Sequence, residues 1–186
     1  MKKVSIVVLL TLLGFTINAQ HVFDKGSLMF NAGIGAPYNY GFIPTINFSG
    51  DYGVIPTGDV GVVSFGGLAE IQFADYDWYY YYGAYSGSQV KPIFYLGPRA
   101  SWHLLVFESS EFDVYAGVGF GIKFYGNYNY NSSKNDVEYD PKVGGYGEGF
   151  VGGRWMFKDN LGLFAELGGG AGSVFRFGLT FATGNK

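Results

Sequence analysis

From Phe112 to Tyr125 apolar and polar positions alternate for fourteen residues without a break. Phe112, Val114, Ala116, Val118, Phe120, Ile122 and Phe124 form one row; Asp113, Tyr115, Gly117, Gly119, Gly121, Lys123 and Tyr125 form the other. Period two is the strand period, so this is a strand between two environments. At about 3.3 Å per residue it is about 46 Å long. Tilted by about 45° it still covers roughly 33 Å, more than the apolar band of about 25 Å that a membrane-spanning barrel needs.

The same alternation recurs in seven further segments. Leu28 to Ile34 and Thr45 to Asp51 are the first two strands, followed by Val63 to Phe73 and Phe94 to Leu104. After the strand at Phe112 come Gly147 to Phe157, Leu161 to Leu167 and Val174 to Phe181. Pro98 interrupts the fourth and demands a bulge or a missing ladder bond. An even number of strands closes an antiparallel barrel. The predicted fold is therefore all-β: a closed, up-and-down, eight-stranded transmembrane β-barrel with a filled polar lumen. Connections at Val54–Gly58, Glu108–Glu111 and Lys158–Asn160 are short. Pro37–Phe42, Asp75–Val90 and Gly126–Lys142 are longer and read as external loops, with short turns facing the periplasm. The fourth external connection, near Gly169–Gly172, is short.

The second face identifies the solvents. It carries mainly Gly, Ser, Asn and Tyr with about one charge per strand, which suits a narrow interior filled by side chains better than a water-facing surface. Asp51, Glu70, Arg99, Asp113, Lys123, Glu148, Arg154, Glu166 and Arg176 all fall on it. A lipid-facing Arg or Lys at mid-depth costs about 2 to 4 kcal/mol, so these nine are expected to form an ion-pair network in the lumen. On the apolar face, Trp102, Trp155, Phe157 and Phe181 cluster toward one end and Phe73, Phe94 and Phe124 toward the other, as two interfacial girdles would.

Composition narrows the class further. Lys2 and Lys3 precede an apolar run from Val4 to Phe15, and Ala19 follows. Residues 1–19 are thus expected to be a secretory signal peptide, with residues 20–186 the barrel domain. With no cysteine there is no lipoprotein anchor, disulfide framework or thiolate metal site. A net charge of −3 offers no basic field for nucleic acid.

The segment Phe150-Val-Gly-Gly-Arg-Trp-Met-Phe-Lys-Asp-Asn-Leu-Gly-Leu-Phe-Ala-Glu-Leu-Gly168, with Phe177-Gly-Leu-Thr-Phe181, resembles the small eight-stranded outer-membrane β-barrel family of Gram-negative bacteria. The resemblance implies a multi-pass barrel in the cell outer membrane, reached through the periplasm and built by the barrel assembly machinery. One departure is the tail Ala182–Lys186, since such proteins usually finish on an aromatic residue.

Some small barrels of this kind modify lipids. The one combination here that offers a nucleophile, a histidine and an acid is Ser101, His103 and Asp113. The plainer reading, lumen residues satisfied by their neighbours, is preferred, and no enzymatic activity, cofactor or metal centre is expected. Asp136, Glu138 and Asp140 read as a solvated run. Trp78, Tyr79, Tyr80, Tyr81, Tyr82 and Tyr85 make the densest aromatic segment, a candidate surface for an extracellular protein or glycan. The expected function is a non-enzymatic outer-membrane barrel with an envelope-structural or surface-interaction role. The alternatives are a small passive pore and a soluble lipocalin-like carrier of an apolar ligand.

Overall fold

The computed structural model describes residues 21–38, 43–79, 86–105, 109–131 and 136–183. Eight strands run antiparallel in sequence order: β1 Leu28–Pro37, β2 Thr45–Pro56, β3 Gly61–Tyr79, β4 Ser86–Leu104, β5 Phe112–Asn131, β6 Asp136–Lys158, β7 Leu161–Gly169 and β8 Ser173–Thr183. β8 pairs with β1 from Leu28↔Thr183 to Pro37↔Ser173, which closes the barrel. Closure leaves no free edge strand along the wall.

The alternation resolves as two surfaces. Phe48, Phe65, Leu96, Val118, Phe120, Val151, Leu167 and Phe177 stand on the outer wall, Phe120 with 68% of its surface exposed. The opposite row, including Asn31, Asp51, Glu70, Arg99, Arg154 and Thr180, is buried in the lumen. At the end bearing the short turns, Phe112 stacks on Trp155 at 6.4 Å and the Trp102 indole N–H donates to Thr57 Oγ1 at 3.1 Å.

Two expectations about boundaries are corrected. Asp75–Val90 and Gly126–Lys142 are not loops over most of their length. β3 and β4 stay paired from Asp75↔Val90 to Tyr79↔Ser86, and β5 and β6 from Gly126↔Pro141 to Asn131↔Asp136. Both hairpins outrun their neighbours: β4 and β5 pair no further than Phe94↔Phe124, and β6 meets β7 only from Gly149. Two strands need only each other's backbone to stay paired, so pairing persists where the apolar row ends.

Pro98 is accommodated by a missing stretch of ladder. β4 and β5 pair at Leu96↔Ile122 and again at Arg99↔Gly119, without change of register. Gly97 and Gly121 meet at this gap, where a Cβ on Gly121 would lie 2.6 Å from the Gly97 Cα and one on Gly97 would lie 2.7 Å from the Gly121 Cα. The two strands approach each other there because neither carries a side chain.

Both ends of the lumen are covered. At the short-turn end, residues 22–27 fold back across the opening. The Val22 N–H donates to Ser109 O, the Gly26 N–H to Gly53 O, and the Gly53 N–H to Ser27 O. Val22 and Phe23 are thereby buried with Met29, Val62 and Met156. At the hairpin end, Ala171 from the β7–β8 turn packs with Leu68, Ala74, Ile93 and Tyr95. The expected signal peptide, residues 1–19, lies outside the described residues.

Candidate functional site

The lumen holds the chemistry of this chain, arranged in tiers between the two covers. Nearest the N-terminal segment, β6 projects Arg154 across the barrel. Its Nη1 donates to Asp113 Oδ2 at 2.8 Å, its Nη2 to Asp51 Oδ2, and its Nε to Asn31 Oδ1 at 3.2 Å. The guanidinium also sits 4.4 Å from the Tyr115 ring centroid. In the middle tier Arg99 donates to Glu166 through Nη2 at 2.7 Å and Nη1 at 3.4 Å, with Asp51 Oδ1 3.6 Å from its Nε. Tyr115 OH donates to Glu166 Oε1 at 2.9 Å, and Phe150 lies 3.8 Å beneath the Arg99 guanidinium. Nearest the hairpin end, Arg176 Nη2 bridges Glu70 Oε2 at 2.9 Å and Glu148 Oε2 at 2.8 Å, while Nη1 reaches Glu166 at 3.4 Å.

Eight of the nine charges placed in the lumen by the alternation stand within ion-pair distance of one another. Lys123 is the correction. It has the right parity on β5 but sits higher, partly exposed, with its ammonium 5.4 Å from the Tyr125 ring centroid and in none of these pairs. Parity fixes a face; it does not fix the height along the barrel.

His103 also departs from the sequence expectation. Its Nδ1 lies 3.0 Å from both carboxylate oxygens of Asp113, as expected, but its Nε2 contacts Ser64 Oγ at 3.0 Å and not Ser101. Ser101 Oγ donates instead to Asp51 at 3.4 Å. Along a strand Ser101 stands about 6.6 Å from His103, whereas Ser64, on the neighbouring strand, is directly opposite Ser101 in register. The Ser64–His103–Asp113 relay has the order of a hydrolytic triad. It is fully buried, however, and Phe23 stacks flat on the imidazole at 3.7 Å. Phe23 is a lumen residue the alternation misses, because the short Val22-Phe23 pair follows the expected leader without a periodic pattern around it.

Among the described residues no three His, Cys, Asp or Glu side chains are grouped to hold a metal ion. Asp140 pairs at the surface with Lys142 at 3.6 Å. Trp78 and Tyr79 belong to β3 near the hairpin tip, while Tyr80, Tyr81, Tyr82 and Tyr85 fall outside the described residues. Two apolar grooves of about 390 and 450 Å³ lie on the outer wall over β2, β3 and β4, lined by Phe48, Ala69 and Leu96.

No family model matches the chain, and no curated protein matches it. Among solved structures the chain is similar to the N-terminal β-barrel domain of Pseudomonas aeruginosa OprF. The identity is 14% over 87% of this chain and 100% of that domain, with a TM-score of 0.49. At that level the likeness adds nothing to the functional reading, which rests on the barrel's own geometry.

Proposed function

We propose that this protein is an integral outer-membrane β-barrel that acts without catalysis, as an element of the envelope and as a carrier of its two projecting hairpins. The observation that carries this reading is the inversion of the barrel. Its large apolar side chains stand outside on all eight strands while its charges are paired inside. A water-soluble monomer rarely exposes a contiguous apolar patch beyond a few hundred Å², and here the patch encircles the molecule. A bilayer is the solvent that matches such a surface, and a closed barrel pairs the backbone groups of its strands with one another rather than leaving an open edge. None of the described helices is long and apolar enough to span a membrane.

The carrier alternative needs the apolar row on the inside, and the structure has it on the outside. The pore alternative needs an open lumen, whereas Arg154, Arg99 and Arg176 cross it at three levels. The hairpins β3–β4 and β5–β6, with Trp78 and Tyr79 near one tip, are the parts best placed to meet an extracellular protein or glycan. Lipid is the partner of the wall, and the barrel assembly machinery its partner during biogenesis.

Fractionation tests the assignment. The protein is expected in the outer-membrane fraction, resistant to carbonate extraction and released by detergent, with a folded form that migrates differently from the boiled form on a gel. Recovery in the soluble periplasmic fraction would overturn it.

A further inference from the structure

The cover at the short-turn end is built in two parts that are held very differently. Asp24 to Ser27 is a turn closed on itself: the Ser27 N–H donates to Asp24 O at 3.0 Å and the Asp24 N–H to Ser27 Oγ at 2.9 Å, with Gly26 at φ 87°. Two further bonds at 2.9 Å, Gly26 N–H to Gly53 O and Gly53 N–H to Ser27 O, tie this turn to β2 just past the Leu28↔Tyr52 pair. Val22 and Phe23 project from that base over the lumen. Among the described residues one backbone bond holds them to the wall, Val22 N–H to Ser109 O, at 3.3 Å. Their anchor is therefore the burial of two side chains, Val22 at 7% and Phe23 at 1% exposure.

What lies behind the pair is complete without it. Arg154 has its partners in Asn31, Asp51 and Asp113, and His103 has its own in Ser64 and Asp113, all of them strand residues. Lifting Val22 and Phe23 thus breaks one backbone bond and the ring stack on His103 while leaving the ion pairs closed. Local opening of such a segment requires far less free energy than opening the barrel. The surface beneath is apolar, made by Met29, Val62 and Met156 with Leu105 and Ala182 at its margin. Thioether side chains adapt to what covers them, so this surface does not depend on one fixed occupant. A crevice of about 10 Å³, room for about one water, already separates the pair from Leu104, Leu105, Ser109 and Phe112.

We propose that Val22 and Phe23 form a flap that opens from the Asp24–Ser27 turn while the barrel stays closed, uncovering the pocket of Met29, Val62, Met156 and the His103 ring. Phe23 is the latch. The opening stops at Arg154, whose bonds to three strands do not involve the flap.

The chain contains no cysteine, so single cysteines report on the opening directly. Met156→Cys is folded in detergent and treated with a water-soluble maleimide, and labelling of the fast-migrating folded form is followed at a temperature where none of that form is lost. The folded form is expected to label, more slowly than the exposed site of Glu111→Cys. Adding Phe23→Ala should raise the Met156→Cys rate roughly 10- to 100-fold, the factor that burial of one phenylalanine side chain supplies, and leave Glu111→Cys unchanged. Leu68→Cys, in the cluster at the hairpin end, should stay unlabelled in both backgrounds. Should Met156→Cys not fold, Val62→Cys carries the same expectation; should Phe23→Ala not fold, Phe23→Leu should give a smaller rise. Labelling of Met156→Cys only as the folded form disappears overturns the proposal, because the flap then opens with the barrel. So does a rate equal to that of Glu111→Cys, a rate indifferent to Phe23, or labelling of Leu68→Cys as fast as that of Met156→Cys.

Discussion

Arg154 joins Asn31, Asp51, Asp113 and the Tyr115 ring from its own position on β6. Removing one partner of a buried ion pair leaves the others unpaired at a cost of about 3 to 5 kcal/mol. Arg154→Leu is therefore expected to lower barrel stability by about that amount in urea unfolding followed by gel mobility. Lys142→Ala breaks the exposed pair with Asp140, whose partners are 42% and 49% exposed, and should cost less than about 1 kcal/mol. Equal losses would contradict a network held by burial. At this scale the sequence was legible in one dimension only. Parity assigned all nine charges to a face, and eight of them meet. Height around a tilted barrel depends on strand register, which no single strand reveals. Parity alone therefore groups Lys123 with residues it does not reach, and sequence spacing points to Ser101 where the fold brings Ser64 to His103.

At the scale of the element, the eight strands were evident because the outer wall and the lumen impose opposite demands on alternate residues. Their ends were not, since beyond the wall that demand lapses while pairing continues, as at Asp75 to Tyr79 and Tyr125 to Asn131. The N-terminal cover at Val22 and Phe23 had no periodicity to announce it. Inter-strand spacing is an element-level constraint that substitution can probe. Gly121 faces the lumen, where an added Cβ would lie 2.6 Å from the Gly97 backbone and 2.8 Å from the Tyr146 ring. Gly149 faces outward with nothing within 4 Å of the same position. Gly121→Val should cost about 3 kcal/mol or prevent closure, by the penalty of overpacking. Gly149→Val should fold with wild-type yield and melting, since its side chain meets only the surrounding medium. Comparable folded yields for the two would show that the approach of β4 and β5 at Pro98 is not a tight constraint.

For the molecule as a whole, three arginine tiers and two end covers predict an interior that does not conduct. Planar-bilayer recordings of the wild type are expected to show no stable channel. Phe23→Ala, which opens only the outermost cover, should remain silent because the tiers behind it are intact. Long-lived openings in the wild type would favour the pore reading over the structural one. The tiers have a further consequence for how the barrel is made. Arg154 reaches partners 103 and 123 residues away in the chain, so it samples the placement of β1, β2 and β5 at once. A strand displaced by one residue would turn its inward row to the outer wall, and a displacement of two would carry each partner about 6.6 Å out of reach. The staggering of the eight strands seen here brings these charges into pairs together. A misregistered closure would therefore leave unmatched charge at the centre of the barrel.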